Sequence, residues 1–240
     1  MKARFFVLVA FLIVSAATTF ARAATLFFDD FNYGASPAWS NTSGNWTADN
    51  GVYRALEPNN FPNAHSFVST LPALTDFSVT VDVNAARNGG VWLRAADVPT
   101  FGLGVTGVLL IVLNDALHPN ALFWHEVTNP ETYGPEFNSA FNLPLGNFSL
   151  RIDVQGNTYS AFVNGSSTPA TTFISNKFTS GFVGLYDEHD MPSRQSFDNF
   201  RLSDAPAPVP IPPVGGLFGL ILAGGALLGW WRRLSADAQK

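Results

Sequence analysis

Phe77-Ser78-Val79-Thr80-Val81-Asp82-Val83-Asn84 alternates without a break, with apolar side chains at 77, 79, 81 and 83 and polar ones at 78, 80, 82 and 84. Successive side chains of an extended chain point to opposite faces, so this octet reads as an antiparallel strand with one face on a core and the other in water. A helix would need its apolar residues to recur every third or fourth position, and they do not.

Outward from that strand the same reading continues. Val91-Trp92-Leu93-Arg94-Ala95 is the next strand, Val108 to Leu113 is apolar throughout and reads as a central strand or one covered on both faces, and Leu122 to Val127 follows. Thr128 to Gly146, with three Pro and two Gly, shows no period and reads as a long loop of the kind that often carries function. Phe148 to Val154 alternates again, Gly156-Asn157 turns it into Tyr159 to Val163, and Asn164-Gly165 ends that hairpin. Gly181 to Tyr186 and Ser196 to Leu202 close the series. Toward the N-terminus, Thr25 to Phe31 is a first strand, and Asn50-Gly51 tolerates the positive φ of a type I′ turn between segments around Trp46 and Val52-Tyr53-Arg54. No amphipathic helical period occurs between Ala24 and Asp204, so the expected fold is all-β, a two-sheet antiparallel sandwich.

The chain has 240 residues, no Cys and 22 Phe, so a core of apolar side chains rather than disulfides must hold the domain. Between Ala24 and Asp204, seven Lys and Arg stand against seventeen Asp and Glu, a balance of about −10. Such a surface repels phosphate backbones, which excludes nucleic acid as a partner and leaves neutral glycans, divalent cations or proteins.

The two ends read as addresses. Lys2 and Arg4 precede an apolar stretch from Phe5 to Val14, and Ala21-Arg22-Ala23 offers a cleavage site, so residues 1–23 read as a signal peptide. At the other end, Val209-Pro210-Ile211-Pro212-Pro213 precedes an uncharged run from Val214 to Trp231 and the pair Arg232-Arg233. The run is just long enough to cross a bilayer core, and the arginines set its end in the cytoplasm. This three-part C-terminus resembles the PEP-CTERM sorting signal of Gram-negative bacteria, in the variant that reads Val-Pro-Leu-Pro-Ala. Ile211 stands in place of Leu, Pro213 in place of Ala, and a tail from Leu234 to Lys240 follows the arginines. The resemblance implies sorting by an exosortase, a membrane cysteine transpeptidase-like enzyme, often alongside exopolysaccharide production. The expected domain order is signal peptide 1–23, β-sandwich 24–204, Pro-rich linker and sorting motif 205–213, transmembrane helix 214–231 and cytoplasmic basic tail 232–240.

Gly90 to Ala95, the hairpin from Arg151-Ile152-Asp153-Val154 to Val163-Asn164-Gly165, Gly181 to Leu185 and Phe197-Asp198-Asn199-Phe200 resemble, in that order, the concanavalin A-like jelly roll of laminin G-like domains. They also resemble the related 3-keto-disaccharide hydrolase domain. In such jelly rolls ligands meet one sheet face or the loops at its rim. Strict alternation puts Trp92 and Arg94 on one face, an aromatic platform beside a fork of donors, and Trp124 with Glu126 repeats the pair. Asp187-Glu188-His189-Asp190 is the densest polar cluster, and the oxygens of Asp187, Glu188 and Asp190 suit a hard cation such as Ca²⁺.

No contiguous catalytic motif is present. Laminarinase-type jelly-roll hydrolases carry Glu-x-Asp-x-x-Glu on one strand, whereas Glu188 to Ser193 has Ser193 in the acid's place and Pro192 interrupting the strand. Gly-x-Ser-x-Gly and His-Glu-x-x-His are absent too. The sequence therefore leads to the expectation of a non-catalytic exported module that binds polysaccharide or another surface component. Two alternatives stand beside it: a glycan-cleaving enzyme using Arg94, Glu126, Asp187 or Glu188, and a purely structural surface protein.

Overall fold

A computed structural model describes residues 23–56, 64–97, 104–144, 146–188 and 195–204. Residues 1–22 of the expected signal peptide, the sorting motif from Val209 to Pro213, the apolar run and Arg232-Arg233 lie outside the described residues, as do His189 and Asp190.

Among the described residues there are fifteen strands and no helix: β1 (Thr25–Asp29), β2 (Trp39–Ser43), β3 (Trp46–Asp49), β4 (Val52–Ala55), β5 (Ala64–Val68), β6 (Phe77–Asn84), β7 (Asn88–Asp97), β8 (Val105–Leu113), β9 (Ala121–Val127), β10 (Glu136–Ala140), β11 (Phe148–Gln155), β12 (Thr158–Val163), β13 (Thr171–Ile174), β14 (Phe182–Asp187) and β15 (Ser196–Asp204). They form two antiparallel sheets. One runs β13-β12-β11-β6-β15-β4-β3, with β1 also paired to β15, and the other runs β10-β9-β8-β7-β14-β5-β2. The expected all-β two-sheet antiparallel sandwich is therefore what the chain forms.

The octet that opens the reading is β6, between β11 and β15, and its burial alternates residue by residue as its sequence does. Phe77, Val79, Val81 and Val83 join Leu150, Ile152 and Val154 of β11 in the core between the sheets, facing Val91, Leu93, Val108, Leu110 and Val112 of the other sheet. Asn50 and Gly51 both take positive φ, 53° and 75°, as the β3–β4 turn requires. The Val108 to Leu113 run lies in β8, buried on both faces, because a second apolar layer covers the outside of the seven-stranded sheet.

Four strands were not legible. β2, β5 and β13 are short, and β10 lies inside the segment read as a long loop. β10 pairs with β9 at the sheet edge through a register break between Phe137 and Ala140, and it is mostly exposed, so it lacks the alternation that marks a half-buried strand.

Candidate functional site

The face-sharing expected of Trp92 and Arg94 fails at a β-bulge. The β7–β8 register shifts between Leu93 and Ala96, and Arg94 sits in the left-handed region at φ 47°. Two glycines leave room for it. A Cβ on Gly181 would meet the Arg94 carbonyl carbon at 2.2 Å, and one on Gly107 would meet the Ala95 Cα at 2.8 Å. The extra residue throws Arg94 inward while Trp92 stays on the outer face, the one turned away from the second sheet, where it packs with Ala95 and Leu109.

Arg94 is a clamp between loops. Its Nε and Nη2 donate to the Thr75 carbonyl at 2.8 and 2.6 Å, Nη2 also to the Gly156 carbonyl at 2.7 Å, and Nη1 to the Phe178 carbonyl at 2.9 Å. Nη1 reaches the Tyr159 hydroxyl as well, at 3.3 Å. Nη2 also pairs with the Asp76 carboxylate at 3.3 Å, so the guanidinium, bonded to three backbone carbonyls and one carboxylate, organises three loops. It borders a pocket of about 390 Å³ that Ser175 also lines, and the Ser175 hydroxyl is bonded to Glu126. Arg94 and Glu126 thus approach the same end of the sandwich from β7 and β9. Trp124, by contrast, is a core side chain: its indole N–H donates to Thr171 Oγ1 at 3.1 Å, and its ring stacks on Phe173.

The outer face of the seven-stranded sheet collects the protonatable groups. His65 and Phe67 of β5, Tyr186 of β14, Trp92 of β7, Leu109 and Ile111 of β8, and Phe123 and His125 of β9 share it. Trp92 meets His65 and Tyr186 edge-on, with ring centroids 6.4 and 6.2 Å apart. Trp92 is fully buried, and its Nε1–H has no hydrogen-bond partner among the described residues. A buried donor without an acceptor is costly, which makes this one of the few groups on the face that a ligand oxygen would satisfy.

Beside Trp92 runs a chain of two phenols and a carboxylate. The Tyr133 hydroxyl is bonded to the Tyr186 hydroxyl, which donates to Glu188 Oε2, and the Asn88 amide donates to the same oxygen at 3.3 Å. Tyr186 is buried, while Tyr133 and Glu188 are half-buried. Burial, then the nearby Tyr133 and Glu188, push the Tyr186 phenol well above its ordinary value, so it is a neutral donor at physiological pH. His125 braces the loop that brings Tyr133 in. Its ring lies 5.4 Å from that of Tyr133, and Nδ1 lies 3.1 Å from the Pro135 carbonyl, so Nδ1 carries the proton. Burial lowers the His125 pKa, opposed by the carbonyl and by Glu136.

Of the residues read as cation ligands, Asp187 is buried at the end of β14 and Glu188 turns onto Tyr186 and Asn88. Among the described residues no three His, Asp or Glu side chains converge to hold a metal ion. Tyr133, Tyr186, His65 and His125 were not singled out from sequence. The only signal was the long segment from Thr128 to Gly146, which carries Tyr133.

A family model described as the 3-keto-alpha-glucoside-1,2-lyase-like domain matches residues 24–203. No curated protein matches the chain. Among solved structures, the carbohydrate-binding module CBM66 from Bacillus subtilis superposes with TM-score 0.54 at 14% identity, covering 70% of this chain and 96% of that one. A galectin-like protein of unknown function from Bacillus subtilis gives TM-score 0.56 at 10% identity, covering 78% and 99%. SCLam, a non-specific endo-beta-1,3(4)-glucanase of family GH16, gives 0.54 at 13%, covering 77% and 92%. At such identities the structures show a shared jelly-roll fold, one used by sugar-binding and sugar-cleaving proteins alike. The family match overturns the expectation of a non-catalytic module, since the family is described by a lyase activity. That expectation rested on contiguous motifs, and a site assembled from β5, β7, β9, β14 and a loop leaves none.

Proposed function

Because the chain belongs to the family of 3-keto-alpha-glucoside-1,2-lyase-like domains across residues 24–203, we propose that it cleaves the glycosidic bond of a glucoside oxidised at C3, on the outer face of the seven-stranded sheet. A ketone at C3 makes the neighbouring C2–H acidic. A base removes that proton, the electron pair forms a C1–C2 double bond, and the C1–O bond breaks to release the aglycone, which takes up a proton. The chemistry needs a base near C2, donors for the developing enolate oxygen and an apolar surface for the ring.

One observation carries the assignment to this face: Trp92, Tyr186, Tyr133, Glu188 and His125 gather there, with the Trp92 N–H unpartnered among the described residues. At the Arg94 pocket, by contrast, the guanidinium is already bonded to the Thr75, Gly156 and Phe178 carbonyls and to Asp76. The test is turnover of an aryl 3-keto-α-glucoside by the full chain, followed through phenol release and the absorbance of the unsaturated ketone. Release that requires the ketone supports the reading, and equal rates on the unoxidised glucoside, or none on either, defeat it.

The export signals belong to the same proposal, with the activity placed outside the cytoplasm and sorted by an exosortase-like enzyme among surface polysaccharide. Removal of residues 209–240 is then expected to release the domain in soluble form, and retention of the shortened chain in the membrane would refute the anchor.

A further inference from the structure

We propose that Tyr133, Tyr186 and Glu188 are a proton relay, in which Tyr133 takes the C2 proton of the substrate and Glu188 stores it. The proposal rests on the lyase reading above and assigns its base. In the resting chain the Tyr133 O–H donates to the Tyr186 oxygen, and the Tyr186 O–H donates to the Glu188 carboxylate. As the C2–H bond breaks, its proton passes to the Tyr133 oxygen, the Tyr133 proton passes to Tyr186, and the Tyr186 proton passes to Glu188. The C2 electron pair becomes the C1–C2 double bond and the aglycone leaves with the C1–O pair. Glu188 ends as the neutral acid, both phenols end as phenols, and no oxidant or reductant enters.

The geometry favours this order over a direct attack by either phenol. Tyr186 is fully buried, where a phenolate would be expensive, and a concerted shift never leaves charge on it. Tyr133 is half-buried and reaches in from the loop onto Tyr186, while Glu188 is half-buried at the far end and can return its proton to water. His65 faces Tyr186 from β5, Trp92 and Asn88 from β7, Tyr133 from the β9–β10 loop, and Asp187 adjoins it on β14. His125, on β9, holds the Tyr133 ring and the Pro135 carbonyl and is a positioning residue.

The test joins kinetics to a measurement that needs no substrate. Tyr186→Phe removes one oxygen and keeps the ring. It is expected to lower elimination from an aryl 3-keto-α-glucoside by about 10²–10⁴-fold while substrate affinity is retained, and Glu188→Gln is expected to do the same. In the full chain labelled at tyrosine ¹³Cζ, the Tyr133 and Tyr186 resonances are expected to shift together when Glu188→Gln removes the carboxylate, and Tyr186→Phe to uncouple Tyr133 from that change. Undiminished turnover in either variant, or a Tyr133 resonance indifferent to Glu188→Gln, overturns the relay. Coupled resonances in a chain inert toward the oxidised sugar would uphold the hydrogen-bonded triad and overturn the substrate reading, and with it the role of Tyr133 as base.

Discussion

The guanidinium of Arg94 lies over the ring of Tyr159, 5.3 Å from its centroid, although β7 and β12 belong to opposite sheets. The contact closes one end of the sandwich, and the same guanidinium ties down the Thr75, Gly156 and Phe178 carbonyls. Arg94→Ala leaves those acceptors without their donor in a site only 3% exposed. A loss of about 3 kcal/mol or more in denaturant unfolding is expected. Arg94→Lys should recover part of it, since an ammonium cannot span three carbonyls at once. A loss under about 1 kcal/mol for the alanine variant would refute the clamp.

The bulge at Arg94 exists because Gly107 and Gly181 lack side chains. Gly181→Ala drives a Cβ into the Arg94 backbone at 2.2 Å, and Gly107→Ala adds a clash with Ala95 to a φ of 149°. Each is expected to destabilise by about 2–4 kcal/mol. Gly165, at φ 73° in an open turn with nothing within 4 Å of the added carbon, should lose only about 1 kcal/mol on the same change. Thermal unfolding of the three variants gives the ranking, and equal losses would deny the bulge its special geometry.

Trp92→Phe separates fold from function. The substitution keeps an aromatic ring against His65 and Tyr186 and removes a buried N–H that has no partner among the described residues. Stability should therefore change by less than about 1–2 kcal/mol. Affinity for the oxidised glucoside should fall about tenfold, the worth of one hydrogen bond to a sugar oxygen. Unchanged affinity, measured by calorimetry, would remove Trp92 from the site.

Acid weakens the loop that carries Tyr133. Burial holds the His125 pKa below the 6.5 of a free imidazole, with the Pro135 carbonyl and Glu136 opposing. The stabilising preference for neutral His125 is therefore present above pH 6.5 and is lost as pH falls through the folded value. Protection of the amides of residues 131–134 and 136 against hydrogen exchange, relative to their intrinsic rates at each pH, should fall on acidification below pH 6.5, and His125→Gln should flatten that dependence. Protection that does not change with pH in the unsubstituted chain would contradict the brace.

Alkali acts in the opposite sense at Tyr53. Burial, offset by the Ser66 hydrogen bond, pushes its phenol up to about 12 from 10. The folded-state advantage is complete below pH 10 and is lost as pH rises through about 12. Ultraviolet titration should show delayed ionisation of Tyr53 as well as of Tyr186, and Tyr53→Phe should reduce the delayed amplitude by one phenol; an unchanged amplitude would contradict the burial of Tyr53.

Strand identity was legible wherever it depended on neighbours in sequence. Phe77–Asn84 and Phe148–Gln155 alternate because each residue's face follows from that of the one before it, and Asn50-Gly51 turns because those two residues accept positive φ. β5 was not legible, since His65 and Ser66 are polar yet buried between β14 and β2, and Ser66 is satisfied by Tyr53 from the other sheet and by Asn41 of β2. Arg94 departs from its predicted face for a like reason: alternation assumes one residue per ladder step, and the extra step is permitted by glycines on β8 and ahead of β14. The candidate site depends most on tertiary structure. Tyr133, Tyr186, Glu188, Trp92 and His125 come from separate strands and a loop, and only pairing β9, β8, β7 and β14 side by side brings their outer faces together. Composition and local pattern determined an all-β sandwich around an apolar core, because period and turn chemistry are local. The chemistry on its outer face was decided by the register between strands, which no stretch of the chain specifies alone.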